Sequence, residues 1–137
     1  MARTNAGADW QANVLGATTP PSGSLGTGYM APANYIALST DTSTPNPADT
    51  TLPGEITPIS TPSSTTLIRK QATFAHTTGT STYTLTTTFT SDTTATIAKI
   101  GVLNAASAGV LFAETLLGTT ITLHSGDTIQ VQETISI

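Results

Sequence analysis

The sequence predicts an all-β domain, either an antiparallel β-sandwich or a jelly-roll. From Leu67 onward, apolar and polar residues alternate with the period of two that half-buried strands require. Turn residues recur roughly every 8–12 positions, which is the spacing of strands in sandwiches and barrels. Threonine supplies 32 of the 137 residues, and its β-branched side chain favours strands. These three observations together predict the fold class.

Six or seven strands are expected. The clearest alternation lies in 81–90, where Tyr83, Leu85 and Phe89 share one face and threonines occupy the other. This segment should form a hairpin with 67–76, because Gly79 in the intervening turn can adopt a positive φ. The most apolar segment, 95–103, should be a central strand, and its Gly101 indicates a bulge or a close approach of another group. The predicted strands are 34–39, 67–76, 81–90, 95–103, 110–117, 119–123 and 128–137.

The chain divides into an extended N-terminal arm, 1–32, and a single β-sandwich domain, 33–137. Within the arm, 8–15 can form one or two helical turns, but the remainder is rich in glycine and proline. Within the domain, 41–66 is rich in proline and poor in large apolar groups, so it is expected to be a long loop that forms a second extended arm, with a short β-segment at 54–57. A loop of this length is usually functional or is ordered by contacts outside its own domain.

Composition excludes several classes of partner. Only 9% of the residues are charged, compared with about 25% in typical domains. Four basic residues in the whole chain cannot form the stripe that neutralises nucleic-acid phosphates, and they disfavour an anionic membrane. No apolar run approaches the roughly 20 residues that span a bilayer. Neutral hydroxyls cost little to desolvate, so the surface suits contact with other proteins.

Candidate catalytic and metal-binding groups are sparse. His76 and His124 lie beside predicted turns without the context of a nucleophilic triad, and we interpret both as structural. Asp41, Asn46 and Asp49 are oxygen-bearing residues in one loop and could gather around a calcium ion, but their spacing does not match an EF-hand. The sequence has no cysteine. We therefore predict no enzymatic activity, no cofactor and no metal site.

Two acidic residues stand in otherwise apolar strands. A buried carboxylate is costly unless it is paired with a cation, so Glu114 and Glu133 need partners. One interpretation is an internal pair between Lys99 and either Glu114 or Glu133, which would hold the strand register. The other interpretation is a pair across a subunit interface.

Six phrases of the sequence resemble small virion proteins of tailed bacteriophages, in particular capsid decoration, or cement, proteins. These phrases are RTNAGADWQANVL at 3–15, NYIAL at 34–38, DTTLPGEI at 49–56, ATFAHTTGTSTYTL at 72–85, IAKIGVLNA at 97–105 and GDTIQVQET at 126–134. The resemblance implies a β-sandwich or jelly-roll that binds the outside of an icosahedral head as a dimer or trimer. Its partners would be the major capsid protein and copies of itself, in a virion assembled in the host cytoplasm.

On this hypothesis the arm supplies the anchors, because aromatic and apolar side chains dominate interface energetics. The predicted interface residues are Trp10, Val14, Leu15, Tyr29 and Met30. Two alternatives remain open at this point. The chain could be a tail or tail-fibre component, or a secreted carbohydrate-binding or adhesin module that uses exposed aromatic rings such as Trp10, Tyr29 and Tyr35.

Overall fold

The prediction of an all-β fold is confirmed. A computed structural model describes Ala12, Leu15, Gly16 and residues 32–137. Within these residues, seven strands form two antiparallel sheets, with the order β2-β1-β5-β6 in the four-stranded sheet and β3-β4-β7 in the three-stranded sheet. The strands are β1 (Tyr35–Ser39), β2 (Lys70–Gln71), β3 (Thr73–His76), β4 (Thr82–Thr90), β5 (Ala95–Leu103), β6 (Leu111–Leu123) and β7 (Thr128–Ser136).

The predicted hairpin, β3 and β4, forms two of the three strands of the smaller sheet, with β4 in the middle. His76 pairs with Tyr83 across the turn, and Gly79 has a φ of 87°, a conformation that glycine adopts without steric cost. On its other side β4 pairs with β7 along its full length, from Thr82–Ser136 to Thr90–Thr128. The threonine face of β4 therefore points away from the core.

The main core lies between the two sheets. Tyr83, Leu85 and Phe89 of β4 are buried as their alternation predicts, and β7 contributes Val131 with the half-buried Ile129 and Ile135. From the four-stranded sheet, the side chains facing this core are Ile36, Leu38, Ile97, Ile100 and Val102. Alternating apolar residues on both sheets thus meet face to face, as in other sandwiches.

A second, smaller core lies on the outer face of the four-stranded sheet. Leu52 of the 41–66 loop packs there against Ala37 and Leu103. Gly101 permits this contact, because a Cβ at that position would lie 2.8 Å from Leu52 Cδ2. Strand β5 is consequently buried on both faces, which explains why it is apolar along almost its whole length.

The long loop is held by its own domain. Ser39 forms an isolated antiparallel bridge with Glu55, within the predicted β-segment at 54–57, and Ile56 N–H donates to the Leu38 carbonyl oxygen over 2.9 Å. Leu52 and Ile56 are 4% and 1% exposed. The expectation that contacts outside the domain order this loop is therefore not needed to explain its conformation.

Two strand predictions are wrong, and the strand predicted to begin at 67 begins only at Lys70. The predicted strand 67–76 divides at Ala72, whose N–H donates to the Asn34 carbonyl oxygen over 2.8 Å; β2 then belongs to one sheet and β3 to the other. Conversely, the predicted strands 110–117 and 119–123 are one strand, β6. Gly118 does not end it, because β6 lies at a sheet edge and bulges there without disturbing a second neighbour.

The described part of the N-terminal arm packs on the domain. Ala12, Leu15 and Gly16 are helical, and the other residues of the predicted helical segment 8–15 lie outside the described residues. Ala12 is fully buried in the main core, and Leu15 packs against that core. The Leu15 carbonyl oxygen accepts a hydrogen bond from Ala33 N–H over 2.6 Å. These contacts place Leu15 and Ala33 next to each other at the main core.

Tyr83 provides a first testable prediction. Its side chain is 1% exposed, its hydroxyl has no hydrogen-bond partner among the described residues, and burial raises its pKa to about 12. Because a buried hydroxyl without a partner destabilises the fold, Tyr83→Phe should increase the free energy of unfolding by about 1 kcal/mol. Urea denaturation measures this change, and Tyr35→Phe, at a half-buried position, is the control. A loss of stability in Tyr83→Phe would contradict the assignment.

Candidate interaction surface

Strand β6 is a long and nearly uncharged sheet edge. It has 13 residues and lies at one end of the four-stranded sheet, so the backbone groups on its outer side have no partner strand within that sheet. Its one charged residue is Glu114, whose side chain is only 7% exposed. We call strand β6 together with Val110 the β6 edge.

The β6 edge also carries exposed apolar side chains. Val110, Phe112, Leu116 and Ile121 are 50%, 41%, 38% and 42% exposed. Natural sheet edges usually carry charges, prolines or short strands that prevent pairing with other chains, and the β6 edge has neither an exposed charge nor a proline. This arrangement is suited to the addition of a strand from another protein.

A bulge divides the β6 edge into two parts. Ile97 pairs with Ile121 and Lys99 pairs with Leu116, so one residue of β5 faces the four residues 117–120 of β6. A bulge bends its strand and interrupts regular pairing. The register shifts a second time at Phe112, because Leu103 pairs with Leu111 and Val102 pairs with Ala113. The segment 111–116, which carries Phe112 and Leu116, is therefore the longer part that faces no strand on its outer side, and it contains a one-residue bulge at Phe112.

A buried ionic cluster stiffens this part of the sheet. Lys99 is fully buried, and its Nζ lies 2.6 Å from Asp41 Oδ2 and 3.4 Å from Glu114 Oε2. Glu114 also accepts a hydrogen bond from Asn46 N–H through Oε1 over 3.1 Å. The predicted internal pair between Lys99 and Glu114 is confirmed. The alternative pair of Lys99 with Glu133 does not form.

The cluster also explains the oxygen-bearing residues of the loop. Asp41 binds Lys99 and Ser43, while Asn46 Oδ1 accepts a hydrogen bond from Ala48 N–H over 3.0 Å. Over the described ranges, no group of three or more His, Cys, Asp or Glu residues is placed to hold a metal ion. Asp41 and the backbone of Asn46 thus connect the loop to the β6 edge through Lys99 and Glu114.

Charge pairing outweighs desolvation in this cluster. Burial by itself lowers the pKa of Lys99, but the hydrogen bond with Asp41 and the charges of Glu114 and Asp41 raise it above its ordinary value. The hydrogen bond from Lys99, with one from Ser43, lowers the pKa of Asp41. Lys99 and Asp41 are therefore both charged at neutral pH.

A second ion pair holds the turn that leads into β6. Arg69 Nε and Nη2 donate to the two oxygens of Glu55 over 2.9 and 2.8 Å, and Nη1 donates to the carbonyl oxygens of Ala105 and Ala108. Ala108 has a φ of 52°, which is costly for a residue with a Cβ. Arg69 thus stabilises the strained start of the β6 edge.

Glu133 lies on β7, an edge strand of the three-stranded sheet, and faces Thr115 of β6 in the other sheet. Its Oε2 is 3.5 Å from Thr115 Oγ1, and no cation pairs with it among the described residues. Burial raises its pKa, against a small opposing effect of Thr115. A carboxyl group whose folded-state pKa is raised destabilises the fold above that pKa, because the charged form is disfavoured in the folded state.

We therefore expect Glu133→Gln to stabilise the protein at pH 7, by about 1 kcal/mol. For the wild type, this cost should disappear as pH falls through the folded-state pKa, so the two proteins should converge in acid. Thermal melts between pH 4 and 8 measure the difference, and Gln132→Glu, on the opposite face of β7, is a matched charge control. A wild type that is the more stable protein at pH 7 would contradict this prediction.

The predicted interface residues and histidines have separate placements. Leu15 is half-buried against its own domain, while Trp10, Val14, Tyr29 and Met30 lie outside the described residues; the role of all five as anchors stays a prediction. His76 Nδ1 lies 2.8 Å from the Thr82 carbonyl oxygen within the hairpin. His124 lies 3.5 Å from Asp127 in an exposed turn.

The β6 edge is not evident as a surface from the sequence. Its apolar residues were consistent with a buried strand, and only the strand order places them at an edge. No helix among the described residues has the length and apolar character needed to cross a bilayer. Comparisons with protein-family models, with characterised proteins and with solved structures find no match to this chain.

Proposed function

We propose that this chain is a bacteriophage virion structural protein, a capsid decoration or cement protein that stabilises the icosahedral head through protein–protein contacts. The observation that carries the proposal is the β6 edge, which is long, nearly uncharged and apolar. The resemblance of six sequence phrases to decoration proteins supplies the identity of the partner, the major capsid protein. A chain with 9% charged residues also suits a surface that is desolvated on assembly.

The mechanism is mass action. A protein that binds the assembled shell, but not its dissociated subunits, stabilises the shell by an amount that grows with its concentration. The segment 111–116 would add to a strand of the capsid protein, so that main-chain hydrogen bonds give affinity and side chains such as Phe112 give specificity. The buried cluster around Lys99 keeps the strand in a fixed register before binding, which lowers the entropic cost of association.

Among the described aromatic residues, exposure favours this function over a carbohydrate-binding module. Tyr83 and Phe89 are buried, and Tyr35 and Phe74 are half-buried. Phe112 is the one exposed ring in this part of the chain, and it lies on the β6 edge. A sugar platform usually needs several exposed rings, whereas one exposed ring beside a free strand edge suits β-strand addition.

Cosedimentation with shells tests the proposal. Expanded heads of a phage that encodes this chain, prepared without it, are incubated with wild-type protein, with Phe112→Lys and with Thr84→Lys. Phe112→Lys places a charge on the edge and should weaken binding at least tenfold, about 1.4 kcal/mol. Thr84→Lys adds the same charge to β4, which is paired on both sides at this position, and should bind as the wild type does.

The alternative functions predict binding to targets other than heads. Binding to purified tails and not to heads would replace the proposal with a tail or tail-fibre component. Binding to glycans without binding to particles would replace it with a carbohydrate-binding or adhesin module. Equal binding of Phe112→Lys and Thr84→Lys to heads would remove the β6 edge from the mechanism.

A further inference from the structure

One isoleucine is almost fully exposed to solvent on a loop that is held by internal hydrogen bonds. Ile59 is 95% exposed, at the tip of 57–64. The loop is internally hydrogen-bonded: Thr57 N–H donates to Ser60 Oγ over 2.8 Å, Ser60 Oγ lies 2.7 Å from the Pro62 carbonyl oxygen, and Ser64 N–H donates to the Thr57 carbonyl oxygen over 3.1 Å. The apolar side chain is thus presented by a preorganised loop, so little conformational entropy remains to be lost when it binds.

Beside this isoleucine lies an open pocket of about 290 Å³. Ile56, Pro58 and Ile68 supply its apolar wall, and Ala106 and Ala108 supply its opposite rim. Pro58 is the chain neighbour of Ile59, so the pocket and the exposed side chain belong to one surface patch. The volume falls at the lower limit of small-molecule sites, roughly 300–1,000 Å³, and suits the end of one apolar side chain.

The polar groups of the pocket are already paired. Arg69 and Glu55 line it, but they form the bidentate ion pair described above, with Arg69 Nη2 2.8 Å from Glu55 Oε2. Arg69 Nη1 is occupied by the carbonyl oxygens of Ala105 and Ala108. The pocket therefore offers no unpaired charge to a ligand, and an apolar group is the chemically matched occupant.

We propose that Ile59 of one copy of this chain inserts into the pocket of a second copy, around a two-fold axis. The exposed isoleucine and the pocket lie on the same patch, so both halves of the contact come from one surface, which is the condition for an isologous contact. The residues 57–64 include no charged side chain. Two copies can therefore meet at this patch without the like-charge repulsion that the net charge of −4 produces elsewhere.

The contact is small. Two isoleucines and two pockets bury much less than the roughly 1,200 Å² of a standard stable interface, so the pair forms at high protein concentration in solution. It becomes significant when copies are held side by side, because tethering raises their effective concentration. Because the contact between two copies is measured without capsid shells, a negative result would not contradict the proposed binding to heads.

The test is the concentration dependence of amide chemical shifts, followed by NMR up to about 1 mM, where weak specific pairs are populated. Wild-type amides of Ile56, Ile68 and Ala108 should shift with concentration. Both Ile59→Ser, which removes the inserted side chain, and Ala106→Trp, which fills the pocket, should abolish these shifts. Ile121→Ser, the same substitution at an exposed position on β6, should retain them.

Three results would overturn the proposal. The wild type could show no concentration-dependent shifts up to that limit. The shifts could persist in Ile59→Ser, or they could be lost equally in Ile121→Ser. One-dimensional spectra of each variant report whether it is folded. If Ala106→Trp does not fold, mixing labelled Ile59→Ser with unlabelled wild type gives a second test, because the intact pocket of the labelled chain should still respond to the isoleucine of the wild type.

Discussion

Lys99→Met should cost about 3 kcal/mol of folding free energy. Lys99 is fully buried and pairs with Asp41 and with Glu114, whose side chain is 7% exposed. Removing one partner of a buried pair leaves an uncompensated charge, which typically costs about 3–5 kcal/mol. We expect the lower end because the side chain of Asp41 remains 26% exposed and is partly solvated. Urea denaturation at pH 7 measures the loss.

The pH dependence of this loss separates a charge effect from lost packing. The lowered pKa of Asp41 means that its contribution is present above its ordinary value of 3.8 and is lost as pH falls through the folded-state pKa. The raised pKa of Lys99 means that its contribution is fully present below its ordinary value of 10.5 and is lost as pH rises through the folded-state pKa. The difference between wild type and Lys99→Met should therefore narrow in acid and in strong alkali.

The double variant Lys99→Met/Glu114→Gln is the matched control. It removes the cation together with the buried anion, so it should recover a large part of the stability that Lys99→Met loses. If the free energy of unfolding of Lys99→Met alone lies within about 1 kcal/mol of the wild-type value, a difference typical of exposed ion pairs, the account is contradicted. A difference that stays constant with pH would show that lost packing, and not charge, is responsible.

Leu52→Ala should release the 41–66 loop from the sheet. Leu52 is 4% exposed and is the loop side chain that packs on Ala37 and Leu103. Truncating a buried leucine typically costs about 2–5 kcal/mol, and we expect about 3 kcal/mol here. Relative to the wild type, hydrogen exchange should accelerate more for loop amides such as Ile56 than for amides of β4, because the loop loses its apolar contact with the outer face of the sheet.

A double-mutant cycle with Gly101 tests the direct contact. A Cβ at Gly101 would lie 2.8 and 3.0 Å from the two δ-carbons of Leu52, so Gly101→Ala alone should be destabilising. With Leu52→Ala, the added methyl has room, and the two substitutions should couple favourably by about 1 kcal/mol or more. Leu67→Ala, a fully buried leucine of the main core, should destabilise without such coupling. Equal coupling in both cycles would contradict the outer core.

The strands that were predicted well are those in which local pattern and tertiary position agree. Strand β5 begins and ends where its apolar run does, and β4 and β7 bury the alternating residues that the sequence indicates. The errors occur where a non-local contact decides. The division at Ala72 depends on the Asn34 carbonyl oxygen, and the continuity of β6 depends on its place at a sheet edge. Alternation alone carries no information on either.

The ties of the long loop were predicted only in part. The pair of Lys99 with Glu114 could be expected because a charged residue in an apolar strand needs a partner. The pairs of Asp41 with Lys99 and of Glu55 with Arg69 could not be, because they join residues 58 and 14 positions apart, with the acidic partner in an irregular segment. Loop residues have no periodicity that assigns them to a face, so their partners become evident only after folding.

Cryo-electron microscopy of virions that carry this chain tests the central claim most directly. The account predicts density for a small β-sandwich, repeated with the icosahedral symmetry of the head, on the outer surface of the capsid lattice. In that density the 111–116 segment of β6 should lie against the capsid protein. Density for the sandwich confined to the tail, or a head lattice without it, would contradict the proposed function.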